Sequence, residues 1–212
     1  DGGQLVSPHD KNVISEVEKI TDISMVKFTP NEDLIEYLDE KFDEIYIDRI
    51  LGLSLSPELI KKHNDLKFVY TPIHGTGGQI IPRLFKKAGF NNNDCVEDQM
   101  IADGNLPTVM APNPAETAAL TMPIEKAKKV DADVVLATDP DADRVGIAVR
   151  DNNGEFVLLN GNQTAALITY YILKRWNELN KFTGKEYIVK TIVTTELLCD
   201  IADKYNVKKF DV

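Results

Sequence analysis

The chain has 212 residues, of which 43% are hydrophobic and 27% charged, a composition typical of globular proteins. This composition excludes disordered and fibrous classes, and the length allows one large domain or one and a half ordinary ones. Acidic residues outnumber basic ones by 34 to 24, and the formal charge of -10 argues against a non-specific nucleic-acid binder. No apolar run approaches a membrane span and no signal peptide precedes Asp1, so we expect no membrane segment. The two cysteines, Cys95 and Cys199, fit a reducing cytoplasm.

The beginning of the chain predicts helices rather than strands. Residues 1–12 are rich in Gly, Pro and polar side chains and indicate a loop, which a short helix follows over residues 12–19. Asn31 is a suitable N-cap for one amphipathic helix, because apolar residues follow it at spacings of three and four. These residues are Leu34, Ile35, Leu38, Phe42 and Ile45. A second short helix is predicted over residues 57–63, with proline in its first position.

The middle of the chain alternates between short buried strands and helices. Strands are predicted at residues 67–70, 95–97 and 133–137, and helices at residues 76–88 and 116–130. Gly89 would close the first of these helices as a C-cap. This alternation is typical of βαβ units, so we predict a three-layer α/β domain with a mostly parallel sheet and flanking helices.

The last part of the chain predicts an edge hairpin and a second α/β layer. Residues 145–149 and 155–158, joined by an Asp-Asn-Asn-Gly turn, indicate a hairpin at the edge of the sheet. A long helix over residues 161–179 comes next. A strand, a helix and a strand then follow, at residues 187–193, 196–205 and 208–212. We interpret this last part as a truncated second α/β domain.

The strongest chemical signal is an acidic loop that directly follows the strand at residues 133–137. Asp139, Asp141 and Asp143 alternate along it, so their carboxylates are expected on one side of an extended segment. Such neighbours repel one another, and a divalent cation would remove the conflict; oxygen ligands favour Mg²⁺. Arg144 comes next and could bind a phosphate oxygen. The loop lies at the carboxyl end of a strand, where open α/β sheets bind ligands.

Other interpretations of this loop differ in strength. A plain acidic turn is the weaker interpretation: Asp and Pro favour turns, but three alternating aspartates followed by Arg exceed what a turn needs. An EF-hand is rejected, since Arg144 and Arg150 stand where its glycine and closing glutamate are required. A phosphatase with Asp139 as nucleophile stays open, as does a non-catalytic module in which the loop is a structural cation site.

A glycine-rich turn over residues 71–78 joins a predicted strand to a helix. It fails as a dinucleotide fingerprint, because Ile80 stands where the third glycine should be. The turn could hold an anion at the helix N-terminus or could simply let the helix pack closely, and both readings stay open. His74 is expected to be structural. Residues 112–116 are expected to be a loop that introduces the next helix, with Glu116 in its favourable first turn.

Together these segments resemble the phosphohexomutase superfamily, the phosphoglucomutases and phosphomannomutases. The resemblance rests on residues 71–77 (TPIHGTG), on residues 112–114 (PNP) and above all on residues 137–144 (ATDPDADR). Their order and intervals are similar to those of the family's second domain. The Asp-Pro-Asp-Ala-Asp-Arg form is similar to the subgroup that holds bacterial phosphoglucomutases and phosphopentomutase-like vertebrate enzymes.

The resemblance implies a domain organisation of four α/β domains around a cleft. The first would carry a phosphorylated serine, the second the Mg²⁺ loop, the third a sugar-distinguishing loop and the fourth a phosphate site. Residues 1–19 would then be the tail of a missing first domain. Residues 20–160 would be the second domain with its metal loop, and residues 161–212 the start of the third. The chain is accordingly expected to be part of a longer protein.

The resemblance also implies a reaction and roles for the loop. Phosphate would pass from phosphoserine to a hexose (or pentose) 1-phosphate and return from a bisphosphate, giving the sugar 6-phosphate. Asp139, Asp141 and Asp143 would coordinate Mg²⁺, and Arg144 would hold phosphate oxygens. No serine of the chain lies in the nucleophile motif; the serines are Ser7, Ser15, Ser24, Ser54 and Ser56. We therefore predict that the isolated chain has no mutase activity.

Overall fold

The structure is a computed structural model and describes residues 3–212. The chain divides into two compact units, Asp1–Glu40 and Lys41–Val212. The first unit contains helix α1, which spans His9–Glu18, and two short 3₁₀ helices, Ile23–Met25 and Glu32–Leu34. Helix α1 buries none of its residues.

The single helix predicted from Asn31 onwards is wrong. The Asn31 side chain accepts a hydrogen bond from the Asp33 N–H at 3.3 Å, and it caps only the 3₁₀ turn Glu32–Leu34. The chain is extended again at Ile35 (φ -107°, ψ 121°), and the next helix begins at Glu40. A local side chain to backbone bond of this kind competes with helix formation, and here the turn prevails over the apolar periodicity.

From Glu40 onwards the chain forms both helices and strands. The helices are α2 Glu40–Leu51, α3 Pro57–Lys62, α4 Gly77–Ala88, α5 Thr121–Val130, α6 Gly161–Glu178 and α7 Leu197–Lys204. The strands are β1 Phe68–Thr71, β2 Asn93–Cys95, β3 Val134–Thr138, β4 Val145–Arg150, β5 Phe156–Leu158, β6 Tyr187–Lys190 and β7 Lys208–Asp211. Gly89 ends α4 in the left-handed conformation (φ 101°), as predicted.

Five strands form the main sheet in the order β2-β1-β3-β4-β5. Strands β2, β1 and β3 are parallel, β4 runs antiparallel to β3, and β5 antiparallel to β4, so β4 alone opposes the other four. Strands β4 and β5 are the predicted edge hairpin. This mostly parallel sheet with flanking helices confirms the predicted fold class.

Helices cover both faces of the sheet, which makes the three layers. On one face Val69 of β1 and Val135 of β3 join a buried cluster with Ala127 of α5. On the other face Phe68 and Tyr70 of β1 meet Phe85 of α4 edge to face, with ring centroids 4.8 and 5.6 Å apart. The alternation of side chains along β1 therefore assigns α4 and α5 to opposite faces.

A second, smaller α/β layer follows the hairpin. Helix α6 begins with a reciprocal capping box between Asn160 and Gln163. Strands β6 and β7 pair in parallel, and a small buried cluster of Leu173, Ala202 and Val207 joins this sheet to helices α6 and α7. None of the helices described within residues 3–212 combines the length and apolar character that a membrane span requires.

Candidate functional site

The acidic loop, residues 139–144, joins the carboxyl end of β3 to the start of β4. It turns tightly, because the Ala142 N–H donates to the Asp139 carbonyl at 3.0 Å and Ala142 adopts the left-handed conformation (φ 61°). The antiparallel pair Thr138–Val145 closes the base of the loop. The sheet thus fixes both ends of the loop at the edge where parallel α/β sheets bind ligands.

The structure brings the three alternating carboxylates together. Asp139, Asp141 and Asp143 can each offer a carboxylate oxygen such that all of these atoms lie within 4.8 Å of one another. Asp139 is fully buried, whereas the other two are exposed. One ligand atom is therefore fixed in the protein and two face solvent. Three hard oxygen donors on one side of a loop fit a small divalent cation with coordination places left for water or phosphate.

Arg144 lies beside the buried carboxylate and binds both of its oxygens. Its backbone N–H donates to Asp139 Oδ1 at 2.9 Å, and its Nε donates to Asp139 Oδ2 at 2.6 Å. Burial works against ionisation of Asp139, but these hydrogen bonds and the positive charge of Arg144 lower the pKa of that carboxyl. Asp139 is accordingly held ionised and in a fixed orientation.

The exposed end of the trio is electrostatically unfavourable without a cation. Repulsion from Asp141, followed by partial desolvation and by the charge of Asp139, raises the pKa of Asp143. The nearest charged donor, Arg144 Nε, lies 3.7 Å from Asp143 Oδ1 and relieves this repulsion only in part. The loop thus concentrates negative charge at a place where a bound cation would be stabilised.

The same geometry argues against Asp139 as a phosphatase nucleophile. A nucleophilic carboxylate must present an oxygen to the phosphorus atom. Asp139 is buried and both of its oxygens accept hydrogen bonds from Arg144, so it is arranged as a held ligand. Asp141 and Asp143 are the carboxylates of the loop that face solvent.

The glycine-rich turn after β1 lies directly against the acidic loop. The Thr76 N–H donates to the Pro140 carbonyl at 2.8 Å, and a Cβ placed on Gly75 would lie 2.3 Å from the Pro140 Cα. A Cβ on Gly77 would lie 2.4 Å from the Tyr70 hydroxyl and 2.8 Å from the Thr138 hydroxyl. The two glycines therefore permit close packing, and the Thr76 N–H is already engaged, which favours the packing interpretation over an anion cradle.

His74 is a structural histidine, as expected from the sequence. It is 4% exposed; its Nδ1 lies 2.9 Å from the Ile101 carbonyl and its Nε2 lies 2.9 Å from the Thr108 hydroxyl. A carbonyl only accepts, so Nδ1 carries the proton and Nε2 can accept from Thr108. Gln99 extends this network, donating to Thr108 Oγ1 and accepting from Thr71 Oγ1 at 2.6 Å.

The Pro-Asn-Pro segment, residues 112–114, also contacts the strand that leaves the acidic loop. A Cβ on Gly146 of β4 would lie 2.2 Å from the Pro114 carbonyl oxygen and 2.8 Å from its carbon. Within the same loop the Asn113 amide donates to Glu116 Oε1 at 2.9 Å, just before the 3₁₀ turn and helix α5. No sequence pattern singled out Gly146, and Thr76 was noted only as one residue of the glycine-rich turn.

A cavity lies away from the acidic loop and the segments that contact it. It has a volume of about 640 Å³ and is lined in part by Leu66, Phe90 and Asp133. These residues lie one to three positions before strands β1, β2 and β3, so the cavity opens at the amino edge of the sheet, opposite the acidic loop. We do not take this cavity as the candidate functional site, because the clustered carboxylates lie at the opposite edge of the sheet.

Comparison with known proteins gives a family match. The family model described as phosphoglucomutase/phosphomannomutase, alpha/beta/alpha domain II, matches residues 44–154, just over half of the chain and all of the acidic loop. A phosphomannomutase of Mycoplasmoides pirum is 34% identical over 206 residues, covering 97% of this chain and 37% of that protein. A phosphoglucomutase of Staphylococcus aureus (strain MRSA252) is 32% identical over 212 residues, covering 100% and 38%. The chain spans about two fifths of the length of the curated relatives it matches.

Solved structures show the same fold. A phosphoglucomutase/phosphomannomutase family protein from Burkholderia thailandensis is similar with a TM-score of 0.59 and 23% identity, over 80% of this chain and 32% of that one. An N-acetylglucosamine-phosphate mutase, described as a member of the alpha-D-phosphohexomutase superfamily, gives a TM-score of 0.50 and 15% identity, over 79% and 36%. These likenesses concern the arrangement of helices and strands.

Proposed function

The chain belongs to the phosphoglucomutase/phosphomannomutase family, and we propose that it supplies the magnesium-binding part of a sugar-phosphate mutase. Asp139, Asp141 and Asp143 would hold the ion. The observation that carries this proposal is the convergence of their carboxylate oxygens within 4.8 Å on one loop at the carboxyl edge of the sheet. Three carboxylates so close are costly unless a cation neutralises them.

The residues of the loop have distinct parts in this proposal. Mg²⁺, when bound, would stabilise the charge on a transferring phosphoryl group. Asp139 provides a ligand whose position is fixed by two hydrogen bonds from Arg144. Asp141 and Asp143 face solvent and complete the trio from the open side. The Arg144 side chain is 56% exposed, so its guanidinium can contact a phosphate oxygen while Nε stays on Asp139.

For the whole protein we propose the interconversion of sugar 1-phosphate and 6-phosphate through phosphoserine and a bisphosphate intermediate. The substrate would be a hexose (or pentose) phosphate. We assign residues 1–19 to the tail of a first domain that would carry the serine, residues 20–160 to the second domain and residues 161–212 to the start of a third. The family model for domain II matches residues 44–154, which supports the middle part of this assignment. The span of about two fifths of the relatives' length supports the expectation that the chain alone is inactive.

We also propose a cytoplasmic location for the protein. Cys95 and Cys199 are both free thiols and are partly buried, which is compatible with a reducing compartment. We propose that neither nucleic acid nor a membrane is a partner of the protein. The principal partners of this part would be the other domains of the parent chain.

Calorimetric titration of Mg²⁺ into the 212-residue chain tests the metal site. We expect one ion to bind, and Asp141→Asn to weaken binding by a factor of about ten or more, because one of three ligands loses its charge. Asp98→Asn removes an exposed carboxylate outside the loop and should leave the affinity unchanged. Absence of binding to the unaltered chain, or an equal effect of both substitutions, would contradict the proposed site.

Turnover of glucose 1-phosphate tests the reaction. The parent protein should convert it to the 6-phosphate and lose this activity with Asp141→Asn, whereas the 212-residue chain should show none. Release of inorganic phosphate by the chain alone, with a covalent phosphate trapped on Asp139, would instead support the phosphatase alternative.

A further inference from the structure

The glycine-rich turn and the acidic loop meet backbone to backbone across two neighbouring strands. Strands β1 and β3 pair with Thr71 opposite Ala137, so the segments that follow them lie side by side. Gly75 approaches Pro140 so closely that a Cβ would come within 2.5 Å of the Pro140 carbonyl oxygen. Thr76 donates to that same oxygen twice, from its N–H at 2.8 Å and from its hydroxyl at 3.1 Å.

We infer that Gly75 and Thr76 are positioning residues of the cation site. They hold Pro140, which stands between the first two carboxylates of the trio, and so set the spacing of Asp139 and Asp141. The inference rests on the proposed function for its metal, but the contact it concerns exists in the metal-free chain. It assigns a role to a segment that is separated from the carboxylates by more than sixty positions in the sequence.

Pro140 needs such a hold from outside the loop. The half of the loop that follows it is fixed internally, by the bond from the Ala142 N–H to the Asp139 carbonyl and by the bonds from Arg144 to Asp139. Proline has no N–H, so its carbonyl is the backbone group through which it can be held. Repulsion within the trio would splay an unsupported loop, and the two donors of Thr76 oppose that movement.

The turn that supplies this hold is itself fixed by hydrogen bonds. Ile73 and His74 both adopt the left-handed conformation, with φ of 46° and 61°, which is unusual for residues with side chains. The strain is offset by buried hydrogen bonds: the Ile73 N–H donates to Thr71 Oγ1 at 3.1 Å and the His74 N–H to the Gln99 carbonyl at 2.9 Å. Strained, over-determined backbone of this kind is found where a position must be held accurately.

Substitution of Thr76 separates this role from general packing. Thr76→Val removes the hydroxyl donor to Pro140 at an exposed position and should weaken Mg²⁺ binding by a factor of about two to ten, the effect expected from loss of one hydrogen bond. Thr121→Val is the matched control, because the Thr121 hydroxyl donates to the Ala118 carbonyl, also at 3.1 Å and exposed, on helix α5. The control should keep the affinity of the unaltered chain.

Substitution of Gly75 tests the close approach. Gly75→Ala forces the turn and Pro140 apart by about 1 Å if the new Cβ is to reach ordinary contact distance, whereas Gly104→Ala places a Cβ in open space. The Ala142 and Arg144 amides both donate to Asp139, the residue that precedes Pro140, so release of Pro140 should loosen these bonds as well. Hydrogen exchange in metal-free protein should therefore be faster at these two amides in Gly75→Ala and in Thr76→Val, and unchanged in both controls. This measurement needs no metal.

The outcomes distinguish this inference from the proposed function. Faster loop exchange together with weakened Mg²⁺ binding supports both. Faster loop exchange in a chain that binds no Mg²⁺ supports the positioning contact and refutes the metal site. If Gly75→Ala does not fold, Thr76→Val decides the matter. Loop exchange and affinity that match those of the controls would overturn the inference.

Discussion

Gly77, the second glycine of the turn, should be required for stability because the Tyr70 hydroxyl occupies the space that a Cβ would need. A Cβ on Gly77, the first residue of helix α4, would lie 2.4 Å from the Tyr70 hydroxyl, 2.8 Å from the Thr138 hydroxyl and 3.1 Å from a methyl group of Ile81. The two hydroxyls form a hydrogen bond of 2.8 Å with each other, and Thr138 directly precedes Asp139 in the chain. We therefore predict that Gly77→Ala is destabilising in the natural chain and much less so once Tyr70→Phe has removed the nearest atom.

The structure allows the size of this coupling to be worked out. Overpacking by Gly77→Ala should cost about 1–3 kcal/mol of unfolding free energy. Tyr70→Phe should cost about 1 kcal/mol, the net value of one buried hydrogen bond. Burial raises the pKa of the Tyr70 phenol to about 12, so this hydroxyl remains protonated in all ordinary buffers. In the double variant the Thr138 hydroxyl is free to rotate away, and the summed single costs should exceed the double cost by about 1–2 kcal/mol.

Urea denaturation of the four proteins, followed by far-ultraviolet circular dichroism, completes the double-mutant cycle. Any helix-propensity gain from Gly77→Ala occurs in both backgrounds and cancels. A parallel cycle of Tyr70→Phe with Gly104→Ala, where nothing lies within 4 Å of the new Cβ, should be additive. Additivity within about 0.5 kcal/mol in the Gly77 cycle would refute the steric reasoning.

Two further predictions concern the charge of the trio and the buried network. Repulsion from Asp141 raises the pKa of Asp143 above its ordinary value, so protons compete with the cation as the pH falls. Calorimetry should show that Mg²⁺ affinity decreases as the pH is lowered from neutrality, and a pH-independent affinity would contradict this. Gln99→Leu removes the acceptor of the buried Thr71 hydroxyl and should lower the unfolding free energy by about 1–3 kcal/mol in urea denaturation. The exposed change Gln79→Leu should cost less than about 0.5 kcal/mol, and equal costs for the two would refute the role of the network.

The spacing of apolar residues predicted helices and strands correctly where those residues are buried in the core. The apolar run of strand β3 is buried between two helical layers, and the period of helix α5 places Ala127 in the same core, so both were predictable from spacing. The helix predicted from Asn31 fails over its first residues, where the apolar side chains are exposed. Leu34 is 82% exposed, and without burial a short helix does not outweigh a local side-chain turn.

The part of the candidate site that could be predicted is the part whose residues are close together in the sequence. The three aspartates and Arg144 share one loop, so their convergence required no knowledge of the sheet. The hold of Thr76 on Pro140 depends on the adjacency of strands β1 and β3, which are far apart in the chain. A glycine in a sequence can indicate either a left-handed backbone conformation or the close approach of another segment to its backbone, and only the structure distinguishes the two.

Close backbone contacts join the TPIHGTG turn, the PNP segment and the acidic loop in the folded chain. Ile73, His74 and Ala142 adopt left-handed backbone conformations despite their side chains, whereas Gly75 and Gly146 are needed because another backbone lies where a Cβ would be. One of these glycines fits the TPIHGTG turn to the loop, and the other fits the PNP segment to strand β4. The three segments are therefore parts of a single packed unit, in which two supply support and one supplies the charges.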